Sequence, residues 1–198
     1  MKLFLTQACF TQSKGVNGCS RGKESGFTLM ELMVGIGVSI ILLTIAVPAL
    51  SNVMVSSRLT SFANAFLGHL YMARSEAIKR NGRAALCKSA TGSSCTSEGD
   101  WHQGWIVFHD QNGNALRDNG EAVLLGQSAL PQGYYLYGNT PVQNYISYVS
   151  VGATKLISGA FQAGTLTLCE QISQQGRKII ISSTGRARIE KATMTACP

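Results

Sequence analysis

The sequence predicts an α+β fold in which one long N-terminal helix packs against antiparallel β-sheets. Two observations lead to this prediction. An apolar run over residues 27–50 continues into a segment whose apolar residues recur every three or four positions, which is the period of a helix. Beyond residue 82 the pattern changes to short β-branched and aromatic segments separated by Gly, Asn and Pro, which is typical of strands and turns.

The helix is expected to run from about residue 28 to residue 80. Its first part, residues 27–50, is apolar on every side and long enough to span a bilayer. Its second part, residues 51–82, is amphipathic and should bury one stripe of side chains. Pro48 lies inside the helix, where it removes a backbone hydrogen bond, so we expect a kink or local melting there. The Asn81-Gly82 pair ends the helix.

Residues 83–198 are expected to form one β-rich globular domain. Eight segments are strand candidates: residues 83–88, 105–109, 122–128, 134–137, 145–151, 165–169, 178–182 and 186–190. Residues 90–99 are rich in Ser, Thr and Gly and are interpreted as a loop. The sequence offers no nucleotide fingerprint and no nucleophile–base pair, so neither an enzyme nor a cofactor is expected.

The apolar run begins with a specific motif, Gly26-Phe27-Thr28-Leu29-Met30-Glu31. A carboxylate inside a membrane span is costly and calls for a partner. The motif and the run together resemble the N-terminal signature of type IV pilins and pseudopilins. The resemblance implies a pilin-like fold, a leader of residues 1–26 that prepilin peptidase removes after Gly26, and N-methylation of Phe27. It also implies that Glu31 pairs with the N-terminus of a neighbouring subunit during assembly.

The charges next to the apolar run predict an orientation. The basic segment 21–26 should stay in the cytoplasm by the positive-inside rule. The globular domain would then face the periplasm or the exterior. The resemblance to pilins implies a single-pass protein of the inner membrane of a Gram-negative bacterium, with its C-terminal domain in the periplasm, that later joins a pilus at the cell surface.

Six cysteines support export. Cys9 and Cys19 lie in the leader, and an even number remains in the domain, which implies two disulfides in an oxidising compartment. The favoured pairs are Cys87–Cys95 and Cys169–Cys197. Free thiols or a zinc site are the alternatives, but the spacing fits no ordinary zinc motif, so no metal is expected.

A second motif spans residues 101–110, Trp-His-Gln-Gly-Trp-Ile-Val-Phe-His-Asp, and is followed by an Asn/Asp/Gly loop that ends at Glu121. It resembles the Gly-Trp-x-Val-Phe-x-Asp stretch of the FimT/FimU/GspH branch of minor pilins and pseudopilins. Trp101 and Trp105 are expected to be core residues.

The loop after this motif has two interpretations. Its oxygen-bearing side chains fall at positions 1, 3, 5, 9 and 12 of an EF-hand loop, which would suit a weak cation site: Asp110, Asn112, Asn114, Asp118 and Glu121. However, Ala115 stands where that loop needs glycine. The favoured interpretation is a hairpin connection whose Asx side chains bond their own backbone.

The C-terminus carries most of the positive charge of the domain. Five basic residues stand against Glu190 in the last 22 residues, a net charge of +4: Arg177, Lys178, Arg186, Arg188 and Lys191. In a strand, Arg186 and Arg188 point to one face about 6–7 Å apart, close to the spacing of successive phosphates on a nucleic-acid strand. Guanidinium groups suit phosphate well.

Gly185-Arg186-Ala187-Arg188 also resembles the Gly-Arg-x-Arg motif of FimT-type minor pilins linked to DNA uptake. The resemblance implies that Arg186 and Arg188 bind double-stranded DNA and that the other three basic residues assist. The alternative is a solvated strand edge whose charges prevent edge-to-edge pairing.

Two functions follow from these patterns. The first is a type IV minor pilin that binds extracellular DNA non-specifically through the C-terminal Arg patch during natural transformation. The second is a purely structural minor pilin, or a type II secretion pseudopilin similar to GspH, that primes fibre assembly. In both cases the expected partners are other pilin subunits, prepilin peptidase and, before assembly, the inner membrane.

Overall fold

The computed structural model describes residues 26–194 and Cys197. Those residues form one long helix and two four-stranded antiparallel sheets, which confirms the predicted α+β class. The chain divides into two compact units, residues 1–44 and residues 45–198. The predicted leader, with Cys9 and Cys19, falls on residues outside the described part, except for Gly26.

Helix α1 spans Leu29–Lys79, and both of its ends are capped. At the start, the Glu31 N–H donates to Thr28 Oγ1 at 3.2 Å, as an N-cap residue requires. At the end, Asn81 has φ 49°, and the Gly82 N–H donates to Ala77 O at 3.1 Å, which is a Schellman motif. The helix continues through position 48 without a break, so the local melting expected at Pro48 is absent.

The described part of the first unit is helical from Leu29 and strongly apolar. Its large apolar side chains are all at least 51% exposed, and Phe27 reaches 84%. By length and composition alone, α1 could cross a membrane. Glu31 lies exposed in the first helical turn of this segment.

In the second unit, α1 buries one stripe of side chains. The fully buried members follow the predicted three- and four-residue spacing: Leu59, Ala63, Phe66, Leu70, Ala73 and Ala77. They pack in one core cluster with residues from both sheets. Ile78, which shares the sequence pattern, is instead 51% exposed.

Eight strands follow the helix, one for each predicted segment: β1 Arg83–Lys88, β2 Gly104–Asp110, β3 Val123–Ser128, β4 Tyr134–Gly138, β5 Tyr145–Tyr148, β6 Gly164–Glu170, β7 Gln175–Ile181 and β8 Ala187–Thr193. The strand order is β3-β2-β1-β5 in the first sheet and β4-β6-β7-β8 in the second. Strand β5 is shorter than predicted because a tight turn follows it, closed by the Gly152 N–H on Val149 O.

Both tryptophans belong to the core, as predicted. Phe66 of α1 meets the rings of Trp101 and Trp105 at centroid distances of 5.4 and 4.9 Å, edge-on in both cases. The indole N–H groups are also used. Trp101 donates to Val142 O at 2.9 Å, and Trp105 donates to His69 Nδ1 at 3.0 Å. The contacts of Phe66 and His69 with Trp105 join α1 to strand β2 of the first sheet.

The loop between β2 and β3 is a hairpin connection held by its own side chains, as the favoured interpretation predicts. The buried Asp110 carboxylate accepts from the N–H groups of Gly113, Asn114 and Ala115 at 2.7–3.1 Å. Glu121 accepts from two further backbone N–H groups of the loop. The oxygens of both carboxylates are therefore engaged by the backbone.

Two disulfides link the four domain cysteines in the pairs that the sequence favoured, Cys87–Cys95 and Cys169–Cys197. The first closes a short loop after β1. The second joins β6 to the C-terminal tail, 28 residues further along the chain. By restricting the unfolded chain, each bridge stabilises the domain.

Candidate nucleic-acid interface

The β7–β8 hairpin has one buried and one exposed face. Ile179, Ile181 and Ala187 are buried in the core cluster shared with α1. On the opposite face, exposed Lys178 lies directly across from exposed Glu190. The alternation follows from the two-residue period of a strand. We call the exposed side of β7, β8 and their turn the outer face of the hairpin.

Arg188 projects from the outer face of β8, opposite Ile180 of β7. Its side chain is 63% exposed, and its Nε donates to Glu190 Oε1 at 2.9 Å. A guanidinium carries five N–H donors, so this bond leaves most of them for another ligand.

Arg186 lies at the end of the turn that precedes β8, two residues before Arg188. Its side chain is exposed, while its backbone C=O accepts from the Ser182 N–H at 2.9 Å. This bond extends the ladder beyond Ala187. The two arginines therefore have the strand-like spacing that the sequence predicted for a pair of phosphate-binding side chains.

The turn of the hairpin is fastened to α1 through its backbone. Arg74 donates from Nη1 to Gly185 O at 3.1 Å, and the Tyr71 hydroxyl donates to Ala187 O at 3.1 Å. Gly185 has φ +76°, and a Cβ at this position would overlap Gly152 O. The glycine of the Gly-Arg-Ala-Arg motif is thus required for local geometry, and it sets the position of the arginine that follows it.

Arg177 does not lie on the outer face, which corrects the expectation that it assists there. It is only 4% exposed and points to the opposite side of β7 from Lys178. Its guanidinium donates to Ser56 O at 3.2 Å, Ser56 Oγ at 2.9 Å and Thr60 Oγ1 at 3.0 Å, all on α1. The physical reason is the period of the strand, since adjacent residues face opposite sides.

Lys191 also does not lie on the outer face, contrary to the expectation that it assists there. It is exposed but lies across from Arg177, on the face that turns towards α1. An odd separation of three residues from Arg188 puts it on the other side of β8. Among the five predicted basic residues, the outer face therefore holds Arg186, Arg188 and Lys178.

Glu190 shares the outer face with these three cations. It binds Arg188 directly and faces Lys178 across the strand pair, so the face carries three positive charges and one negative charge. In the sequence, Glu190 enters only the net charge of the C-terminal segment. Its even separation from Arg186 and Arg188 is the signal that predicts a position on the same face.

Tyr71 and Arg74 were not predicted as part of the site. Both act on backbone carbonyls more than 100 residues further along the chain. A side chain that fixes a distant main-chain atom leaves no pattern in its own neighbourhood, so nothing in the sequence pointed to this role.

The comparisons with known proteins agree with this architecture. The family model described as type II transport protein GspH matches residues 63–185. Pilin-like protein PilA1 of Thermus thermophilus is 30% identical over 173 residues, covering 83% of this chain and 97% of that protein.

Two crystal structures of the type IV minor pilin FimU of Pseudomonas aeruginosa share the fold. One superposes with a TM-score of 0.54 at 18% identity, covering 72% of this chain and 97% of FimU. The other gives a TM-score of 0.52 at 19% identity, covering 71% and 100%. Because the GspH model matches more than half of the chain, this protein belongs to that family and is a type IV minor pilin or pseudopilin of the GspH/FimU group.

Proposed function

We propose that this minor pilin binds double-stranded DNA non-specifically through the outer face of its C-terminal hairpin, during natural transformation. The observation that carries the proposal is the exposed pair Arg186 and Arg188, held at strand spacing by a turn that α1 fastens through Gly185 O and Ala187 O. Lys178 adds a third cation on the same face. Such a surface binds phosphates without reading sequence.

The rigid support of the turn favours binding over a merely solvated edge. The turn is tied to α1 by two hydrogen bonds, and the tail beyond β8 is tied to β6 by Cys169–Cys197. A surface that is already ordered loses less conformational entropy when it binds. Because the contacts are to phosphates, affinity should fall steeply with salt.

The proposal is tested with the full chain in a neutral detergent and a fluorescent 30-base-pair duplex. The variant Arg186→Gln/Arg188→Gln removes two phosphate ligands, and its affinity at 0.1 M salt should fall by about 60-fold, which is the counterion term for two contacts. The control Arg58→Gln/Lys191→Gln removes the same charge from two exposed positions away from the outer face.

The control variant should bind almost as well as the wild type. An equal loss of DNA affinity in both variants would mean that binding depends only on the net charge of the protein, and it would refute the site. Absence of salt-sensitive binding by the wild type would refute the function itself.

A structural role in type II secretion is the second candidate, and the match to the type II transport protein GspH model favours it. In that role the N-terminal helix would carry the function, and the outer face of the hairpin would be a solvated surface that binds no DNA. Pilins and pseudopilins are structural rather than enzymatic proteins, and both candidates share this character. Retention of DNA by the isolated protein separates the two.

Maturation and assembly are proposed in the same form for either candidate. The leader is removed after Gly26 by prepilin peptidase, Phe27 is methylated, and the apolar segment anchors the chain in the inner membrane before fibre entry. The exposed Glu31 then pairs with the N-terminus of a neighbouring pilin subunit. The exposed apolar side chains from Phe27 onwards support this, because they require lipid or other helices as surroundings.

A further inference from the structure

The outer face of the hairpin continues across the whole second sheet. The strand registers place one residue of each strand side by side in a row: Tyr137 of β4, Thr167 of β6, Lys178 of β7 and Glu190 of β8. Leu136, Leu168 and Ile179, which are next to the first three along their strands, are buried in the core cluster, so the row faces outwards. We call this surface the outer face of the second sheet. It adds strands β6 and β4 to the proposed DNA site.

Tyr137 carries an aromatic ring that none of the described residues uses. The two other tyrosines of β4 each meet a second ring edge-on. Tyr134 contacts Phe62 at a centroid distance of 5.1 Å, and Tyr135 contacts His102 at 5.2 Å. Among the residues that the structure describes, Tyr137 has neither a ring contact nor a hydrogen bond through its hydroxyl, and it is partly exposed. Its ring is therefore available to a ligand on the outer face.

The cations of the outer face form a track that turns from β8 towards β4. Arg186 and Arg188 follow the direction of β8, but Glu190 takes the next outward position and repels a phosphate there. Lys178 is the diagonal neighbour of Arg188, which lies opposite Ile180. Diagonal neighbours are about 7–8 Å apart, similar to the separation of about 6–7 Å between the two arginines. A row of phosphates with this spacing can therefore leave β8 and cross to β7.

The space between Lys178 and Tyr137 suits a base. Only β6 separates their strands, so their backbones are two strand spacings apart, about 9–10 Å. Thr167, the residue between them, has a short side chain. A nucleotide whose phosphate binds Lys178 can thus extend over β6 and place its base on the Tyr137 ring. Stacking of bases on aromatic side chains of a four-stranded sheet is a common way to hold single-stranded nucleic acid.

We propose that the outer face of the second sheet binds single-stranded DNA, with phosphates on Arg186, Arg188 and Lys178 and a base stacked on Tyr137. This inference deepens the proposed function and rests on it, because it uses the same cations. A duplex contacts the cations only, since its bases are paired and stacked inside the helix. Removal of the Tyr137 ring therefore weakens the binding of a single strand and leaves the binding of a duplex unchanged.

The test uses the full chain in a neutral detergent at 0.1 M salt, with a fluorescent 30-nucleotide thymidine strand and a 30-base-pair duplex. Tyr137→Leu should weaken binding of the strand at least about fivefold, the lower limit for the loss of one base stack, without an effect on the duplex. Tyr137→Phe keeps the ring and should bind both ligands as the wild type does. The matched control is Phe161→Leu, which removes a ring that is 73% exposed between β5 and β6 and should leave both affinities unchanged.

A strand of 30 abasic sites tests the stacking without any change in the protein. It offers the same phosphates but no bases, so the wild type should bind it at least about fivefold more weakly than the thymidine strand. Tyr137→Leu should bind the abasic strand as well as the wild type does, because the ring and the base act as a pair. Equal affinity of the wild type for the two strands would overturn the stacking.

Photocrosslinking locates the stacked base. A thymidine strand that contains 5-iododeoxyuridine should crosslink to Tyr137 of the wild type, and mass spectrometry of the crosslinked peptide identifies the residue. Crosslinks at other residues alone would overturn the role of Tyr137, whatever the stability of its variants.

Failure of this inference can be distinguished from failure of the proposed function. Equal binding of the thymidine strand by the wild type and Tyr137→Leu, with duplex binding still weakened by Arg186→Gln/Arg188→Gln, would refute the stacking and leave the proposed function in place. Absence of binding to the duplex and to both strands would refute the proposed function, and the stacking with it.

Discussion

Removal of Glu190 should strengthen DNA binding, although the residue lies on the proposed binding surface. Its carboxylate accepts from Arg188 Nε at 2.9 Å and lies across from Lys178. The two partners are 63% and 49% exposed, so their ion pair contributes about 0.2–1 kcal/mol to folding at most. The variant Glu190→Gln should therefore remain folded while it frees Arg188 and removes a repulsive charge.

The gain in affinity follows from Coulomb's law. A carboxylate and a phosphate about 8 Å apart repel each other by about 0.5 kcal/mol in a water-like dielectric, and by about twice that where the surface lowers it. Removal of this repulsion corresponds to an increase in DNA affinity of about two- to fivefold at 0.1 M salt. Fluorescence anisotropy with a short duplex measures this directly.

The control for this prediction is Glu98→Gln, which changes the net charge by the same amount at an exposed loop position. Its effect should stay below about 1.5-fold, because salt screens charges that are separated by more than about 10 Å. Unchanged or weaker binding by Glu190→Gln would refute the reasoning. An equal gain in the control would show that the location of the charge is irrelevant.

Three further predictions concern the turn, the N-terminal helix and the core. Gly185→Ala should lower thermal stability and DNA affinity together, because the new Cβ would overlap Gly152 O. The control is Gly133→Ala, which is also at positive φ but has no neighbours within 4 Å, so it should cost only the backbone strain of about 1–2 kcal/mol. Glu31→Ala should leave membrane insertion intact and block entry into the fibre, and normal incorporation in a pull-down of assembled fibres would contradict its role. Burial lowers the pKa of His69 below its usual 6.5, so the folded state resists protonation and stability should fall as pH drops below 6.5. Urea unfolding from pH 7.5 to 5 measures this fall, and His69→Gln should reduce it.

The helix and the strands could be predicted because their patterns are local. The spacing of Leu59, Phe66 and Ala73 is visible without any partner, and Asn81-Gly82 ends α1 through its own backbone geometry. The disulfide pairs were predictable because an exported domain lies in an oxidising compartment and because only four cysteines are available in it. The division of the strands into two sheets was not, since it depends on which distant segments bury each other's faces.

The candidate site was predictable only in part. Both Arg186 and Arg188 are exposed, as the sequence led us to expect, and their even separation places them on one face wherever the backbone is extended. The same rule places the adjacent residues Arg177 and Lys178 on opposite faces of a strand, so the sequence itself argues against a shared binding surface for these two side chains. No rule of local sequence could show that Arg177 bonds Ser56, which lies 121 residues earlier in the chain.

The salt dependence of DNA binding tests the central claim most directly. The slope of log affinity against log salt should be shallower by about 1.8 in Arg186→Gln/Arg188→Gln than in the wild type, because each lost phosphate contact removes about 0.9. The slope of Lys191→Gln should match that of the wild type. Identical slopes for the wild type and the double variant would contradict the account, because the two arginines would then make no contact with the phosphates.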